Sequence, residues 1–335
     1  MPGYFFLRGY PMQKGFICRL FAVALALSAS LLSAAPEYLY VAATNVRMRD
    51  TAATSGKIVA TLPIGTWCKV IAESDKSETL LGKTAHWYQV NTEDRQDGWI
   101  FGGLAQVTDS SERFSAAIQI INTQLAALNS KSVEDLTQTL AFAEKIKELA
   151  SHSLEKALLE TAFLRTLSRI YEELSKAGKG SDNKHPAIKN YHDLCYYHES
   201  AGQHFVKAKA FWDLAEKYSD IEEIAEDIAW LAARQPMPGE TEGDPDMMIY
   251  FYENSYGRYV ESYPAGKHVT EALENAAGIL EHAAENLSYY ETVEEKAQLK
   301  TKLVWFEDLA KLTPESEARK KLLASCKKVY DRLGN

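Results

Sequence analysis

The chain has 335 residues, enough for two or three domains that each bury a core. Its 46% hydrophobic and 25% charged residues are ordinary for a soluble globular protein. The net charge of −9 disfavours nucleic acid and anionic lipid headgroups, because both are bound by Lys and Arg side chains that neutralise phosphates.

Taken in chain order, the first element is an export signal. Lys14 and Arg19 precede an apolar run, Leu20–Leu32, which gives way to Ser33-Ala34-Ala35. That is the order of cationic, apolar and small-residue regions in a secretory signal peptide, assigned here to residues 1–35. The run has 13 residues, short of the roughly 20 that span a bilayer as a helix. Met12 is an alternative start, and Pro36 disfavours cleavage directly before it. Removing the segment takes away Arg8, Lys14 and Arg19 and no acid, which moves the net charge from −9 to −12. If it is kept, it is an N-terminal membrane anchor. Cys18 lies ahead of the apolar run and is not placed like a lipoprotein cysteine. The remaining cysteines, Cys68, Cys195 and Cys326, are too few and odd in number for a disulfide framework. One bridge is allowed in an oxidising compartment, but buried free thiols are the expectation.

Residues 36–108 alternate short apolar runs with turn residues, as a small β-barrel does. The expected strands are Tyr38–Ala42, Lys57–Leu62, Trp67–Glu73, Trp87–Val90 and Gly98–Phe101. Pro63 and Gly65 supply the turn between the second and third. Gln96-Asp97-Gly98 reads as a hairpin turn with positive φ at the glycine.

Four stretches in this region come in a recognisable order: Asn45-Val46-Arg47, Ile58 to Thr66 ending in Gly-Thr, Trp87-Tyr88-Gln89-Val90, and Gly98-Trp99-Ile100. Together they resemble the bacterial SH3 (SH3b) family, over about a fifth of the chain. Two departures are Arg47–Asp50, where the family usually has a Ser-Gly-Pro turn, and the polar insertion Ser74–Thr84. The resemblance implies an SH3-like β-barrel that binds peptidoglycan peptides or a protein partner. Tyr40, Asn45, Arg47, Trp87, Tyr88 and Phe101 are the residues that could line its groove. Trp87 or Tyr88, together with Trp99, also has to fill so small a barrel.

From Glu112 the period changes. Phe114, Ala117, Ile118, Ile121, Leu125 and Leu128 recur at three- and four-residue steps, and similar stripes run from Leu136 to Ala150 and from Leu154 to Leu167. No strand is expected after Val107. Ser219-x-x-Glu222 and Thr292-x-x-Glu295 read as capping boxes, and Thr313-Pro314 puts proline at a first helical position. Turns after Tyr218, Tyr263 and Leu312 recur at intervals of 45 and 49 residues, longer than a tetratricopeptide repeat of about 34. Tyr256–Pro264 with Glu271-Ala272 nevertheless resembles the helical hairpin of tetratricopeptide-like envelope proteins. Residues 109–335 are therefore expected to form an all-α array of helical hairpins with a concave binding face, or a compact bundle. The fold class is multidomain α+β.

The chemistry-bearing residues are few. His192, Cys195 and His198, with His204 beyond, would share one broad face of a helix and could offer imidazole and thiolate to zinc. A second ligand pair is not visible, so packing is the better reading. The loop Glu240–Asp246 holds four carboxylates without the spacing of a calcium loop and reads as an acidic connection. No glycine elbow, phosphate loop or His-Glu-x-x-His motif is present. The expectation is a non-catalytic exported protein of the periplasm or cell surface. It binds peptidoglycan or an envelope protein, and uses no cofactor and no nucleic acid. A cell-wall hydrolase or an assembly factor is the alternative.

Overall fold

A computed structural model describes residues 37–127 and 131–334. The expected signal peptide, residues 1–35, and Leu128 lie outside these residues. The described chain begins with an antiparallel sheet and continues into a helical region, so the α+β class holds at that level.

The sheet uses β1 (Tyr38–Val41), β2 (Val46–Arg49), β3 (Ile58–Leu62), β4 (Trp67–Glu73), β5 (Glu78–Leu80), β6 (Lys83–Ala85), β7 (Trp87–Thr92), β8 (Asp97–Phe101) and β9 (Ala105–Thr108). Seven of these pair in the order β3-β2-β8-β7-β4-β1-β9, while β5 and β6 form a separate hairpin inside the expected polar insertion. Alternation along β1 divides its side chains between two cores. Leu39 and Val41 join Val46, Met48, Val90 and Ile100 within the sheet module. Tyr40 points the other way, into a cluster shared with the helices.

The turn chemistry differs from expectation at one of two places. Gly65 has φ +78 in the β3–β4 turn, as read from the sequence. In the β7–β8 turn it is Arg95 that takes the left-handed conformation, with φ 60. Gly98 instead lies within β8, where a Cβ would stand 2.6 Å from Met48 Cγ and 2.9 Å from the Arg49 carbonyl oxygen. Its glycine is required by the close approach of β2, not by a turn.

The helical region contains α1 (Arg113–Ala126), α2 (Val133–Lys145), α3 (Ser153–Lys176), α4 (Ala208–Lys217), α5 (Glu222–Ala233), α6 (Pro245–Tyr252), α7 (Arg258–Ser262), α8 (Val269–Glu285), α9 (Val293–Leu312) and α10 (Glu317–Leu333). A π-helical turn, Glu253–Gly257, joins α6 to α7. It brings Gly257 so close to Trp305 that a Cβ would meet the indole at 2.6 Å. No described helix is long and apolar enough to cross a membrane.

Three helix starts, those of α2, α9 and α10, have a hydroxyl that reaches an orphan N–H. Thr292 and Glu295 form the expected capping box. Ser219 does not cap α5, whose first turn has no side-chain cap. Pro314 is not the first residue of α10 either. Ser316 caps that helix by accepting from the Arg319 N–H at 3.1 Å, while the Thr313 hydroxyl donates back to the Ala310 carbonyl at 2.8 Å and closes α9.

The largest correction lies between α3 and α4. This segment holds no α-helix: Cys195–His198 (β10) and Gln203–Val206 (β11) form an antiparallel hairpin turned at Gly202, φ +63. The run is rich in Tyr, Phe and Val, which favour a pleated, half-buried surface. Cys195 and Val206 face the helical core; Tyr196 and Phe205 face outward, only half-covered. The region is therefore mostly helical, not all-α.

Candidate ligand-binding surface

The sheet meets the helices through Tyr40. Its ring packs on Trp67 at 4.5 Å and edge-on to Phe142 of α2 at 5.3 Å. Its hydroxyl accepts from Arg113 Nε at 3.0 Å, and the same guanidinium lies 4.6 Å over Trp67. Burial raises the Tyr40 phenol above its ordinary value, with Arg113 opposing. Arg113 Nη2 also reaches Glu93 Oε1 at 3.1 Å, and Lys145 Nζ reaches Glu93 Oε2 at 2.8 Å. One carboxylate from the β7–β8 turn thus ties α1 and α2 to the sheet. Partial burial works against the charge on Glu93, but Lys145 and Arg113 outweigh it and hold the carboxyl below the usual range.

Asn45 makes a second link. It takes the left-handed backbone region, φ 52, which asparagine tolerates. Its Nδ2 donates to Glu134 Oε1 at 2.8 Å, and its Oδ1 accepts from Gln138 Nε2 at 3.1 Å. Beside it, Thr44 bonds to Asp135, which is also the N3 partner of the Ser132 cap of α2. Burial pushes against ionisation of Asp135, and the bonds from Thr44 and Ser132 overcome it, so the carboxyl lies below its ordinary value.

The six residues that could line a groove in the sheet therefore fall in different surroundings. Tyr40 and Asn45 are engaged with α1 and α2. Trp87 and Phe101 are buried against each other in an edge contact at 5.6 Å, and Trp87 Nε1 donates to Glu78 Oε2 at 2.7 Å. Tyr88 is half-buried, and Arg47 is exposed on β2. Packing claims the aromatics first, as a module this small requires.

What the fold does leave open is a groove of about 350 Å³ between α2 and the loop after α3. Val133, Thr137, Pro186 and Ala187 give it an apolar lining, and Glu134, Gln138 and His185 are its polar groups. Glu134 and Gln138 are the partners of Asn45, so the sheet holds one wall of the groove in place. A smaller cleft of about 180 Å³ runs between Tyr40, Gly65 and the Lys145–Leu149 segment, but its cations Arg113 and Lys145 are already paired with Glu93. Sequence reading missed the groove because its walls come from segments some fifty residues apart. The Ser132-x-x-Asp135 cap with Glu134 and Gln138 one helical turn apart was the available signal.

The histidines and cysteine do not converge. His192 lies in a 3-10 turn, while Cys195 and His198 point to opposite faces of β10. His198 Nδ1 bonds the Ser200 hydroxyl at 3.1 Å, and His204 Nδ1 bonds the Gly180 carbonyl at 2.9 Å. Among the described residues no group of three or more His, Cys, Asp or Glu is placed to hold a metal ion. Cys68, Cys195 and Cys326 are free and buried. In the acidic loop, Asp244 caps α6 by accepting from the Asp246 N–H at 2.8 Å. Asp246 itself pairs with Lys302 at 3.0 Å and accepts from Tyr290 at 3.0 Å. These carboxylates are used in structure.

No protein-family model, curated protein or solved structure matches the chain.

Proposed function

We propose that the chain is a non-catalytic, exported binding or scaffold protein of the cell envelope. On this reading the groove between α2 and the His185–Ala187 loop holds its ligand, a peptide of the wall or of an envelope protein. The observation that carries the reading is Asn45. It belongs to the Asn45-Val46-Arg47 stretch that resembles the SH3b family, and it bonds both Glu134 and Gln138 of the groove wall. The sheet would then serve the site by fixing α2, while the helical hairpins, read as a tetratricopeptide-like array, form the rest of the scaffold. Export rests on the Lys14, Arg19 and Leu20–Leu32 pattern and places the protein in the periplasm or at the cell surface.

The engagement of Tyr40 and Asn45 with α1 and α2 also favours a second reading, in which the sheet only packs and the protein assists assembly of another envelope protein. Co-sedimentation of the full chain with purified peptidoglycan sacculi separates the two. Wall binding that is lost in Thr137→Trp, which fills the groove, supports the first. Absence of wall binding with retained capture of an envelope protein supports the second. Equal wall binding by both forms rules out the groove as the wall site.

A further inference from the structure

Away from the groove, α5, the short α7 and the start of α8 meet around a buried indole. Trp230 on α5 carries the imidazole of His268 stacked flat against it, with centroids 4.3 Å apart and planes 4° apart. Tyr259 of α7 packs edge-on to the same indole at 5.0 Å. The buried Glu226 accepts at Oε1 from the Tyr259 hydroxyl at 2.8 Å and from the Lys267 backbone N–H at 2.6 Å. The Tyr259 oxygen accepts the His268 N–H at 3.1 Å. One carboxylate and one phenol thus take up two N–H groups just ahead of α8 and fasten the Tyr263–His268 turn to α5. Crowding fixes the turn further, because a Cβ on Gly266 would lie 2.6 Å from the Tyr259 oxygen and 2.8 Å from Glu226 Oε1.

The imidazole has no share in these bonds. Its Nε2 is sealed from solvent and has no hydrogen-bond partner. A neutral ring bears this at modest cost, whereas a protonated ring would place a charged N–H where nothing accepts it. His268 also immediately precedes α8, where the helix dipole opposes positive charge.

The surrounding groups do not supply the missing acceptor. On α5, Glu226 is committed to Tyr259 and Lys267, and Glu223 and Asp227 both face Lys267 Nζ, at 3.5 and 3.1 Å. Arg234, directly after α5, repels an imidazolium. At the start of α8, Glu271 attracts and Lys267 repels. From α7 and the π-helical turn come the phenols of Tyr259, Tyr263 and Tyr256. Burial raises Tyr259 and Tyr263, which keeps them uncharged. Burial of His268 outweighs the attraction of Glu271 and Glu226 and holds the imidazole below its ordinary value.

We propose that the His268–Trp230 stack is a pH-operated latch, closed while the imidazole is neutral and opened by its protonation, which frees the Tyr263–His268 turn from α5. The sign follows from proton counting. The closed state binds fewer protons at His268 than the open one, so acidification favours opening. The latch is at full strength above the free-histidine value of about 6.5 and weakens as the pH falls from there toward the closed-state value. Each unit separating the two values is worth tenfold in the latch equilibrium. Opening would loosen the α7–α8 turn from the α4–α5 hairpin, which gives the helical region an acid-sensitive joint independent of the groove.

The test is amide hydrogen exchange of the full chain at pH 7.5 and 5.5, corrected for intrinsic rates, with an NMR titration of the His268 ring. Wild type is expected to lose protection over residues 258–272 on acidification, and the ring to titrate below 6.5. His268→Phe keeps a stacking ring that cannot titrate, so its protection should not respond to pH. Should that variant fail to fold, His268→Gln with the wild-type titration gives the same decision. Titration at or above 6.5, or equal acid loss in wild type and variant, overturns the latch.

Discussion

Gly65 lies against the ring of Phe142, so close that a Cβ on the glycine would stand 2.0 Å from the ring's Cδ2. The turn between β3 and β4 and the last turn of α2 are thereby fitted to each other across the boundary between sheet and helices. Tyr40 packs against the same ring from β1. Gly65→Ala should therefore cost twice, through the clash and through a methyl at φ +78. A loss of about 2–4 kcal/mol is expected in urea unfolding. Phe142→Ala alone should cost about 3–5 kcal/mol. The double variant should lose less than the sum of the two, because removing the ring makes room for the methyl. Additive losses would show that the two residues do not share a contact.

Glu93 gives a pH prediction. Lys145 and Arg113 hold its carboxyl below the usual range against the effect of burial, so the folded state binds its proton less readily than the unfolded chain. The stability it contributes is present above the unfolded carboxylate value of about 4.3 and is lost as pH falls through the folded value. Its side chain is 45% exposed, which limits the effect to about 1 kcal/mol or less. Unfolding measured from pH 6 to 3 should show a steeper acid loss in wild type than in Glu93→Gln, and the difference should shrink in high salt. Parallel curves would mean the two ion pairs contribute nothing.

The buried thiols predict a reactivity pattern. Burial pushes both Cys68 and Cys326 up to about 12. At pH 8 the native thiolate fraction is then about one in ten thousand, against about a quarter for an unfolded cysteine. Iodoacetamide should leave both untouched in the native protein and modify both in urea, as peptide mass spectrometry would show. Rapid native labelling of either would contradict its burial.

Much of the sheet could be read ahead of the structure. Trp67–Glu73 forms a strand over the expected bounds, and Gly65 turns where Pro63 and Gly65 signalled it. The other four expected strands form within two residues of their bounds. The strands left unread and the two misread helix starts arise where two physical readings compete. His192, Cys195 and His198 recur at steps of three, a helical spacing, but Cys195–His198 and Gln203–Val206 alternate inward and outward at period two and pair as a hairpin. Gly98 follows Asp97 as a turn glycine would, yet it serves the passage of Met48. Ser219 and Thr313 had cap-like surroundings, and only the path of the chain decides which hydroxyl reaches an N–H. The groove was hidden for a different reason. Asn45 meets Glu134 and Gln138, and α2 meets the His185 loop, only through tertiary packing, which leaves no local trace in the sequence.

The central claim is that ligand is held between α2 and the His185–Ala187 loop. Site-specific photocross-linking in the envelope fraction tests it most directly, with the photoreactive residue at Thr137 in the groove or at Ile71, which is exposed on β4. The account predicts cross-links to wall peptide or to an envelope protein from position 137 and none above background from position 71. Equal cross-linking from both positions, or none from 137, would contradict it.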